Sequence, residues 1–389
     1  MSSRMLRPAA YLACAFLSGF ILESSTANAA KDWTIYQPYV STRAEGMGNA
    51  FTAVADDYST LLYNPAGLAR LKAVNVNLGI QAMMDSKTLK FEKDISKVTA
   101  SKDINQVQSL LDANYGKHYS IRAMPVSGFV VGPQWGLVVI PADLTVEMGI
   151  HQLAGAALDV IGYEDTTIAY GRGWNVKGLE NSQLSFGVTG KSIYRIYTNK
   201  TLLASDLLGN NSTVFRAQDA DEGITADADA GMLWTPVVNP KGVLRFFKPT
   251  LGFTVHNIID EGFATNPHWV NKNSGRPAKL ERRYNLGTMF ELPDFWIFKT
   301  RMAADLSDMG HENWSFRKGS HVGFEFLWKV RSWWQGGWRV GLNQGYFTAG
   351  FTGTAGVFTL DIATYAEETG PTATPLASRR YMAKASFDF

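Results

Sequence analysis

The hydrophobic pattern along most of the chain repeats every two residues. In VNVNLGIQA at residues 74–82, apolar side chains alternate with asparagine, glycine and glutamine, and similar alternation returns at 298–307 and 321–330. Successive side chains of a strand point to opposite faces, so each segment predicts a strand with one apolar and one polar face. A soluble β-sandwich also alternates, but its strands usually have about five or six residues. About ten tilted residues cross a bilayer, and the longer segments seen here favour membrane-spanning strands.

Turn signals and alternation together delimit the expected strands. Thirteen segments have the strand pattern: 73–84, 118–131, 136–147, 164–174, 182–199, 223–236, 249–259, 281–292, 297–308, 320–330, 337–344, 355–366 and 379–389. A wall that starts and ends on the periplasmic side needs an even number of strands. The alternating segment YFTAGFTG at residues 346–353 supplies the missing one. We therefore expect an all-β fold, a transmembrane antiparallel β-barrel of 14 strands at residues 73–389.

Aromatic residues support the membrane interpretation. They make up 12% of the chain and gather at strand ends, as at Trp333, Trp334 and Trp338. Tryptophan and tyrosine favour the interface where strands leave the hydrocarbon. The chain ends on Phe389, on an alternating strand, which resembles the signal that the barrel-assembly machinery reads. That machinery, outer-membrane lipids and lipopolysaccharide are therefore the expected partners of the wall.

Residues 1–29 have the pattern of a secretory signal peptide. Two arginines precede an apolar run at residues 9–22, and an Ala-Asn-Ala cleavage site ends at Ala29. We expect cleavage near Ala29 and a place in the cell outer membrane of Gram-negative type. The only cysteine, Cys14, lies in this peptide. The mature chain is therefore expected to have neither a disulfide framework nor a cysteine-ligated metal.

Residues 30–72 lie between the signal peptide and the first strand, and their apolar positions do not alternate. Their spacing fits short helical turns. Asp56 or Asp57 can cap one such turn. Proline at position 65 restricts Asn64 and should end that turn. We expect a compact hatch inside the barrel lumen; the alternative is a periplasmic extension packed under the rim.

The stretch RAEGMGNAFTAVADDYSTLLYNPAGLARL at residues 43–71 resembles the N-terminal signature of the FadL/TodX family of outer-membrane transport proteins. It has the glycine-rich lead-in, the Ala-Asp-Asp step at 55–57 and the Asn-Pro-Ala element at 64–66. It is similar also to PorV-like barrels, which have no proven transport role. The residues expected to form the hatch and take part in its gating are Gly46, Gly48, Asp56, Asp57, Asn64, Pro65 and Ala66.

The resemblance implies a barrel that is plugged by its N-terminal segment and takes up hydrophobic small molecules, such as long-chain fatty acids or aromatic hydrocarbons. Such compounds would bind outside and diffuse inward as the hatch shifts and a lateral gap opens in the wall. The alternative is a non-transporting, PorV-like barrel that acts as a protein-binding scaffold. A general hydrophilic porin is a third hypothesis, but a filled lumen conflicts with an open pore.

Three loop segments carry apolar residues: 85–117, 149–162 and 201–209. The first is expected to contain a helix with an apolar face formed by Ile104, Val107, Leu110 and Leu111. These segments either line a groove that takes up a hydrophobic ligand or pack on their own barrel. Residues 149–162 could instead continue a strand.

Charged residues occur on the polar faces of the later strands. Those expected to face the lumen are Lys299, Arg301, Asp305 and Glu325, with Lys329, Arg339 and Asp361. They could contact the hatch or line a wet path, although barrel interiors commonly hold such charges as ion pairs.

The sequence has no pattern of a catalytic or metal site. The six histidines are scattered and lack the spacing of metal ligands. Ser320 and His321 are adjacent on a strand and so point to opposite faces, which argues against a catalytic pair. The net charge of +2 includes no basic stripe, so nucleic acid is not an expected partner. We expect no enzyme activity and no cofactor.

Overall fold

The computed structural model describes residues 34–152, 156–179, 182–208, 217–236, 247–371 and 374–389. The expected signal peptide, with its cleavage site near Ala29, lies outside the described residues. Within them the chain forms fourteen strands: β1 (Asn75–Asp85), β2 (His118–Gly132), β3 (Trp135–Gln152), β4 (Ala156–Asn175), β5 (Gln183–Leu202), β6 (Asp221–Thr235), β7 (Pro249–His256), β8 (Arg283–Glu291), β9 (Phe298–Met309), β10 (Ser320–Arg331), β11 (Trp334–Asn343), β12 (Tyr346–Ala355), β13 (Phe358–Glu368) and β14 (Ala377–Asp388).

The strands close into a single barrel in which each pairs antiparallel with its neighbours in sequence, and β14 pairs with β1. At the closure, Val76 and Phe389 exchange two backbone hydrogen bonds, both of 2.9 Å. A closed wall leaves no strand edge unpaired. The expected closed, antiparallel, 14-strand barrel is confirmed, including the strand at 346–353 that the even-number argument required.

The two ends of the barrel differ. β1 begins and β14 ends at one end, which we call the terminal end; its turns include the two residues between β2 and β3. The opposite end, the loop end, carries the long connection at residues 86–117. In outer-membrane barrels the short turns lie in the periplasm and the longer loops outside.

The outward face of the wall is apolar. On β1 and β14, Leu78, Ile80, Tyr381 and Phe387 point outward and are about half exposed. Aromatic rings cluster on this face near the terminal end, where Trp328 lies 5.5 Å from Trp334 and Phe358 lies 6.0 Å from Phe387. Trp338 lies 4.5 Å from Phe351 in the middle of β11 and β12. An apolar surface flanked by aromatic rings fits a wall in contact with lipid.

Strands β3, β4 and β5 are the longest, with 18, 20 and 20 residues. β4 begins at Ala156, eight positions before the predicted start at 164. The described residues of the segment 149–162 therefore continue β3 and β4 rather than form a separate loop piece. The alternative that these residues continue a strand is confirmed, although the predicted start of β4 at 164 was too late because residues 156–162 are buried without alternation.

The described helices are short: α1 (Thr42–Gly46), α2 (Thr60–Tyr63), a 3-10 helix (Pro65–Arg70), α3 (Thr88–Ala100), α4 (Ile104–Ala113), two 3-10 turns (Asp206–Leu208 and Ala217–Asp219) and α5 (Phe316–Gly319). No helix in the described part of the chain is long and apolar enough to cross a membrane. The expected helix in loop 85–117 is present as α4, preceded by α3. Val107 and Leu111 are fully buried, but Ile104 is 47% exposed, so its predicted place on the apolar face is wrong.

The described apolar residues of the three loop segments pack together at the loop end. Phe91 stacks on Tyr119, with ring centroids 4.3 Å apart. The buried cluster comprises Phe91, Ile95, Val107, Leu111, Tyr119, Met148, Ile150, Ala156, Leu158, Val160, Leu202, Ala204 and Leu207. These side chains cover one another, so the segments pack on their own barrel and leave no open groove at this cluster.

The lumen and its N-terminal segment as candidate functional site

Residues 34–71, here called the lumenal segment, run through the bore of the barrel from end to end. Near the loop end, Asn313 Nδ2 donates to the Thr34 carbonyl at 3.3 Å. At the terminal end, the Gln134 N–H in the turn between β2 and β3 donates to the Leu68 carbonyl at 2.9 Å. Between these points the segment contacts inward-facing residues on opposite sides of the wall.

A ring of inward-facing glycines lets the wall approach the lumenal segment. A methyl group added at any of them would lie within 2.8 Å of an atom of the segment, closer than packed atoms come. They occur on eight strands: Gly171 and Gly173 on β4, Gly187 on β5, Gly231 on β6, Gly252 on β7, Gly287 on β8, Gly323 on β10, Gly341 on β11 and Gly350 on β12. Glycine in a strand interior often marks such a close backbone approach.

Asn64, Pro65 and Ala66 lie against the β5 and β6 part of this ring. A methyl group at Gly187 would be 2.2 Å from the Pro65 carbonyl carbon, and one at Gly231 would be 2.0 Å from Asn64 Oδ1. The Asn-Pro-Ala element is therefore in direct contact with the wall.

Asn64 both shapes the segment and joins it to the wall. Its Oδ1 accepts from the Ala66 N–H at 3.1 Å, which caps the 3-10 helix. Its Nδ2 donates to the Thr52 carbonyl at 2.7 Å and to the Met232 carbonyl on β6 at 3.3 Å. Pro65 fills the first position of the 3-10 helix, where a missing N–H costs nothing. Asn64 therefore combines helix termination with attachment of the segment to the wall.

Gly46 and Gly48 lie on the opposite side of the bore. Gly46 packs on Gly350 of β12, and its carbonyl accepts from the Thr348 hydroxyl at 3.2 Å. Gly48 has a φ of +71°, a conformation open to glycine, and its carbonyl accepts from His321 Nδ1 at 2.9 Å. Gly48 therefore permits a tight backbone turn, and Gly46 permits a close approach to the wall.

Glu325 on β10 is the centre of an ion cluster between wall and segment. It is fully buried and is shared by three guanidinium groups. Arg43 of α1 donates to it at 2.9 and 3.0 Å, Arg339 of β11 donates at 2.6 Å, and Arg301 of β9 pairs with it as well. Sequence reasoning placed Arg301 and Glu325 in the lumen but did not single out Arg43, whose partner lies 282 positions away.

The two adjacent acids of the segment extend this cluster. Asp56 pairs with Arg43 at 2.9 Å and with Arg301 at 2.7 Å, and Asp57 pairs with Arg43 at 2.6 Å. Burial acts to raise the pKa of Asp56, but Arg301 and Arg43 outweigh it and hold that pKa below its usual range. Asp57, rather than Asp56, organises the start of α2, because its carboxylate accepts from the Ser59 N–H and hydroxyl.

Asp305 on β9 holds the segment by its backbone. One carboxylate oxygen accepts from the Phe51 N–H at 2.8 Å and from the Thr52 N–H at 2.7 Å. Lys299, on the same strand, is exposed at the terminal end beside a cavity of about 470 Å³ that Lys248 and Glu291 also line. Of the four charges expected to face the lumen, Arg301, Asp305 and Glu325 therefore contact the segment, whereas Lys299 lies at the rim.

A further set of contacts, not anticipated from the sequence, holds the first residues of the segment. Tyr36 stacks on Tyr163 of β4 with ring centroids 4.2 Å apart, and its hydroxyl donates to Asp165 at 2.9 Å. Arg122 of β2 donates to the carbonyls of Gln37 and Pro38, each at 3.0 Å. Single aromatic and arginine residues carry no distinctive spacing, so sequence alone gave no signal for this contact.

Cavities inside and outside the wall differ sharply. Two cavities between the segment and the wall are small, about 60 and 30 Å³, and lined by polar groups such as Lys191, Asp229 and Arg380. A hollow of about 950 Å³ lies on the outer face of the wall. Outward apolar side chains of seven adjacent strands, β11 through β14 and β1 to β3, line it, among them Trp338 and Tyr381.

Three of the strands around this outer hollow have broken registers. Pairing shifts between Gly79 and Gln81 on β1, between Ala123 and Gly128 on β2, and between Ile140 and Asp143 on β3. Such irregularities bend a strand and interrupt its hydrogen-bond ladder. The wall is therefore irregular next to this apolar hollow, and further register shifts occur on β8 and near the end of β10.

No family model matches the sequence, and no curated protein matches it. Solved structures do match. The toluene transporter TbuX of Ralstonia pickettii matches with 10% identity over 89% of this chain and 97% of that chain, at a TM-score of 0.47. A FadL homologue of Pseudomonas aeruginosa matches with 10% identity over 95% and 98%, at 0.39, and the monoaromatic hydrocarbon channel CymD with 10% identity over 89% and 96%, at 0.44.

Each of these three matches has a sequence identity of 10% and a TM-score below 0.5. These similarities concern the fold. They do not assign a substrate or a gating mechanism to this chain.

Proposed function

We propose that this protein is an outer-membrane channel for the passive uptake of hydrophobic small molecules, with the lumenal segment as its hatch. One observation carries the proposal. The barrel has a filled, polar bore but a large apolar hollow on the outer face, beside three strands with broken registers. A plugged bore does not suit free diffusion of polar solutes, whereas an apolar hollow suits an apolar ligand that leaves sideways into lipid.

The route begins at the loop end and requires the lumenal segment to move. The described cavities beside the segment are too small for a fatty acid, so a passage opens only when the segment shifts. The Glu325 cluster is the part of the contact that can exchange its partners for water, since ion pairs have hydrated alternatives. The ligand would then cross the irregular β1–β3 wall toward the outer hollow.

Long-chain fatty acids and aromatic hydrocarbons are the ligand classes that we propose. Both present an apolar body to the hollow, where exposed polar lining is scarce. We propose that the concentration gradient alone drives uptake.

The proposal is tested by measuring the uptake of labelled fatty acid and labelled toluene. The cells have the chromosomal gene deleted and carry either no copy, the wild-type gene or one of the variants. Ala383→Trp fills the outer hollow and should lower uptake of at least one ligand to the level of cells without the gene. Ala385→Trp is the matched control, because it adds the same side chain outward on the same strand, outside the hollow. Unchanged uptake of both ligands with Ala383→Trp, or upon deletion of the gene, contradicts the transport proposal.

The alternative is a PorV-like, protein-binding scaffold that moves no solute. One observation favours it: ion pairs seal the lumen, including Arg122–Asp143 at 2.5 Å and Lys191–Asp229 at 2.6 Å besides the Glu325 cluster. For a scaffold, loss of the gene leaves both uptakes unchanged, and a defined protein partner co-purifies through the loop end.

A further inference from the structure

Helix α3 lies on the outside of the barrel wall rather than over its mouth. Phe91 of α3 stacks on Tyr119, and Tyr119 pairs with Met148 of the neighbouring strand. Arg122 of the same strand points inward, since it binds the Gln37 carbonyl of the lumenal segment. Tyr119 stands an odd number of residues away from Arg122 and therefore points outward. The helix thus covers the lipid-facing side of β2 and β3.

Helix α3 lies next to the loop-side edge of the outer hollow. Ile121 and Val146 face one another across β2 and β3, and both line the apolar outer hollow. Tyr119 and Met148, which pack under the helix cluster, are two residues further toward the loop end. Two residues of a strand span about 7 Å. The helix therefore lies just beyond the apolar hollow on its loop side, where we infer that the lipid head groups lie.

The two faces of α3 have opposite chemistry. Phe91 and Ile95 are buried against the wall. Lys90, Lys93 and Lys97, spaced by three and four residues, share another face and are exposed. An apolar face on one side and a row of lysines on the other is the pattern of a helix that lies at a membrane interface.

Few acidic side chains neutralise the positive charge of the lysine row. Lys90 makes a long pair of 3.9 Å with Asp94, and its side chain is 87% exposed. Lys93 and Lys97 have no ion pair within the described residues. Glu92 and Asp94 are the acids on the same helix, and both are partly buried. Three ammonium groups therefore remain available to anions beside the wall.

We propose that the lysine row of α3 (Lys90, Lys93 and Lys97) binds the phosphate groups of lipopolysaccharide in the outer leaflet next to the barrel. Lysine is a compact cation with three donors, which suits a phosphate that is approached from several directions. Basic residues at a membrane surface attract anionic lipid head groups. This binding site is separate from the proposed transport route, since none of the three lysines lines the outer hollow or the lumen.

Purified full-length protein, with bisphosphorylated lipid A in mixed detergent micelles as the probe, tests the proposal. The triple variant Lys90→Gln/Lys93→Gln/Lys97→Gln keeps most of the side-chain length and removes three charges. Its affinity for bisphosphorylated lipid A should fall by about 100-fold, given the usual contribution of a basic residue near an anionic surface. Added salt should weaken the wild-type binding and hardly change that of the triple variant.

Lys72→Gln/Lys177→Gln/Lys329→Gln is the matched control. It removes the same charge from three exposed lysines at the terminal end, and its affinity should stay within about twofold of wild type, because the screened field of distant charges is weak. Far-UV circular dichroism of both variants checks that the barrel is intact. Millimolar inorganic phosphate should not displace the lipid, which separates a lipid site from a free-phosphate site. Equal loss in both triple variants, or wild-type binding to dephosphorylated lipid A with the same affinity, overturns the proposal.

Discussion

The lumenal segment is held to the wall by different contacts on its two sides. Residues 60–70 pack on β3 to β6, where Leu61 and Leu68 are fully buried and the glycines of β4, β5 and β6 admit the backbone. Residues 42–57 face β7 to β14, where they also meet ring glycines and a buried apolar cluster. Only on this side do Arg43 and Asp56 add the ion cluster of Glu325 and Arg301.

The two kinds of contact respond differently to water. Close-packed backbone and apolar contacts have no hydrated equivalent, so residues 60–70 act as the anchor of the segment. Buried ions recover hydration when they separate, so we propose that the side with the ion cluster, residues 42–57, is the one that moves. On this proposal the hatch moves at the ion cluster while the Asn-Pro-Ala element stays in place.

Glu325→Gln should have the largest effect. It leaves Arg43, Arg301 and Arg339 without their shared carboxylate, and removal of one partner from a buried pair costs about 3–5 kcal/mol. Amide hydrogen exchange should accelerate by at least about 100-fold in residues 42–57, with residues 60–70 still protected, as expected for local opening. The conductance of single proteins in a planar bilayer should rise together with this exchange.

Glu291→Gln is the control for this prediction. Glu291 also pairs with a cation, Lys248, but the pair is exposed at the terminal rim. Exposed pairs contribute about 1 kcal/mol or less, so exchange and conductance should stay at the wild-type values. If Glu325→Gln accelerates exchange equally in both halves of the segment, the segment moves as one body and the distinction between anchor and gate is wrong.

The wall was more predictable from the sequence than the contacts inside it. Alternation requires only neighbouring residues, so thirteen strands and the need for a fourteenth followed from the chain itself. The extension of β4 to Ala156 was only an alternative, because residues 156–162 are covered on both faces and lose the period of two. The Arg43–Glu325 pair joins residues 282 positions apart, and no local sequence pattern predicts a contact between residues so distant in the chain.

The glycine ring was hidden for a related reason. Thirty-six glycines are visible in the sequence, but which of them contact the lumenal segment depends on how the segment is placed in the bore. The residues expected to form the hatch, at 46–66, have a signal in the sequence because they form a continuous motif. Their partners on the wall are single glycines on different strands, and only closure of the barrel brings them to a common level.

Gly187→Ala should have an intermediate effect, on the anchor side. The new methyl group would lie 2.2 Å from the Pro65 carbonyl carbon, so the 3-10 helix must shift, and overpacking of this kind costs about 1–3 kcal/mol. Exchange should then accelerate in residues 60–70 more than in residues 42–57, the reverse of the pattern for Glu325→Gln.

Gly190→Ala supplies the matched substitution on the same strand, since a methyl group there meets no atom within 4 Å. It should leave exchange in the whole lumenal segment unchanged. If amide exchange of residues 60–70 in Gly187→Ala is as slow as in wild type, the wall has moved to admit the methyl group and the segment has not. Residues 60–70 would then not be the anchor.

Asp56→Asn should have the smallest effect and should depend on pH. The carboxylate is 44% exposed, so solvent screens its pairs with Arg43 and Arg301, and we expect a loss of about 1 kcal/mol or less at neutral pH. Because these arginines hold the pKa of Asp56 below its usual range, its contribution to stability is present above about pH 4 and disappears as the pH falls through the lowered value. Urea unfolding in lipid vesicles should therefore show wild type and Asp56→Asn converging in acid and separating toward neutral pH. If the stability difference between wild type and Asp56→Asn is constant from acid to neutral pH, Asp56 acts through its hydrogen bonds rather than its charge. The ion cluster around Glu325 would then not extend to Asp56.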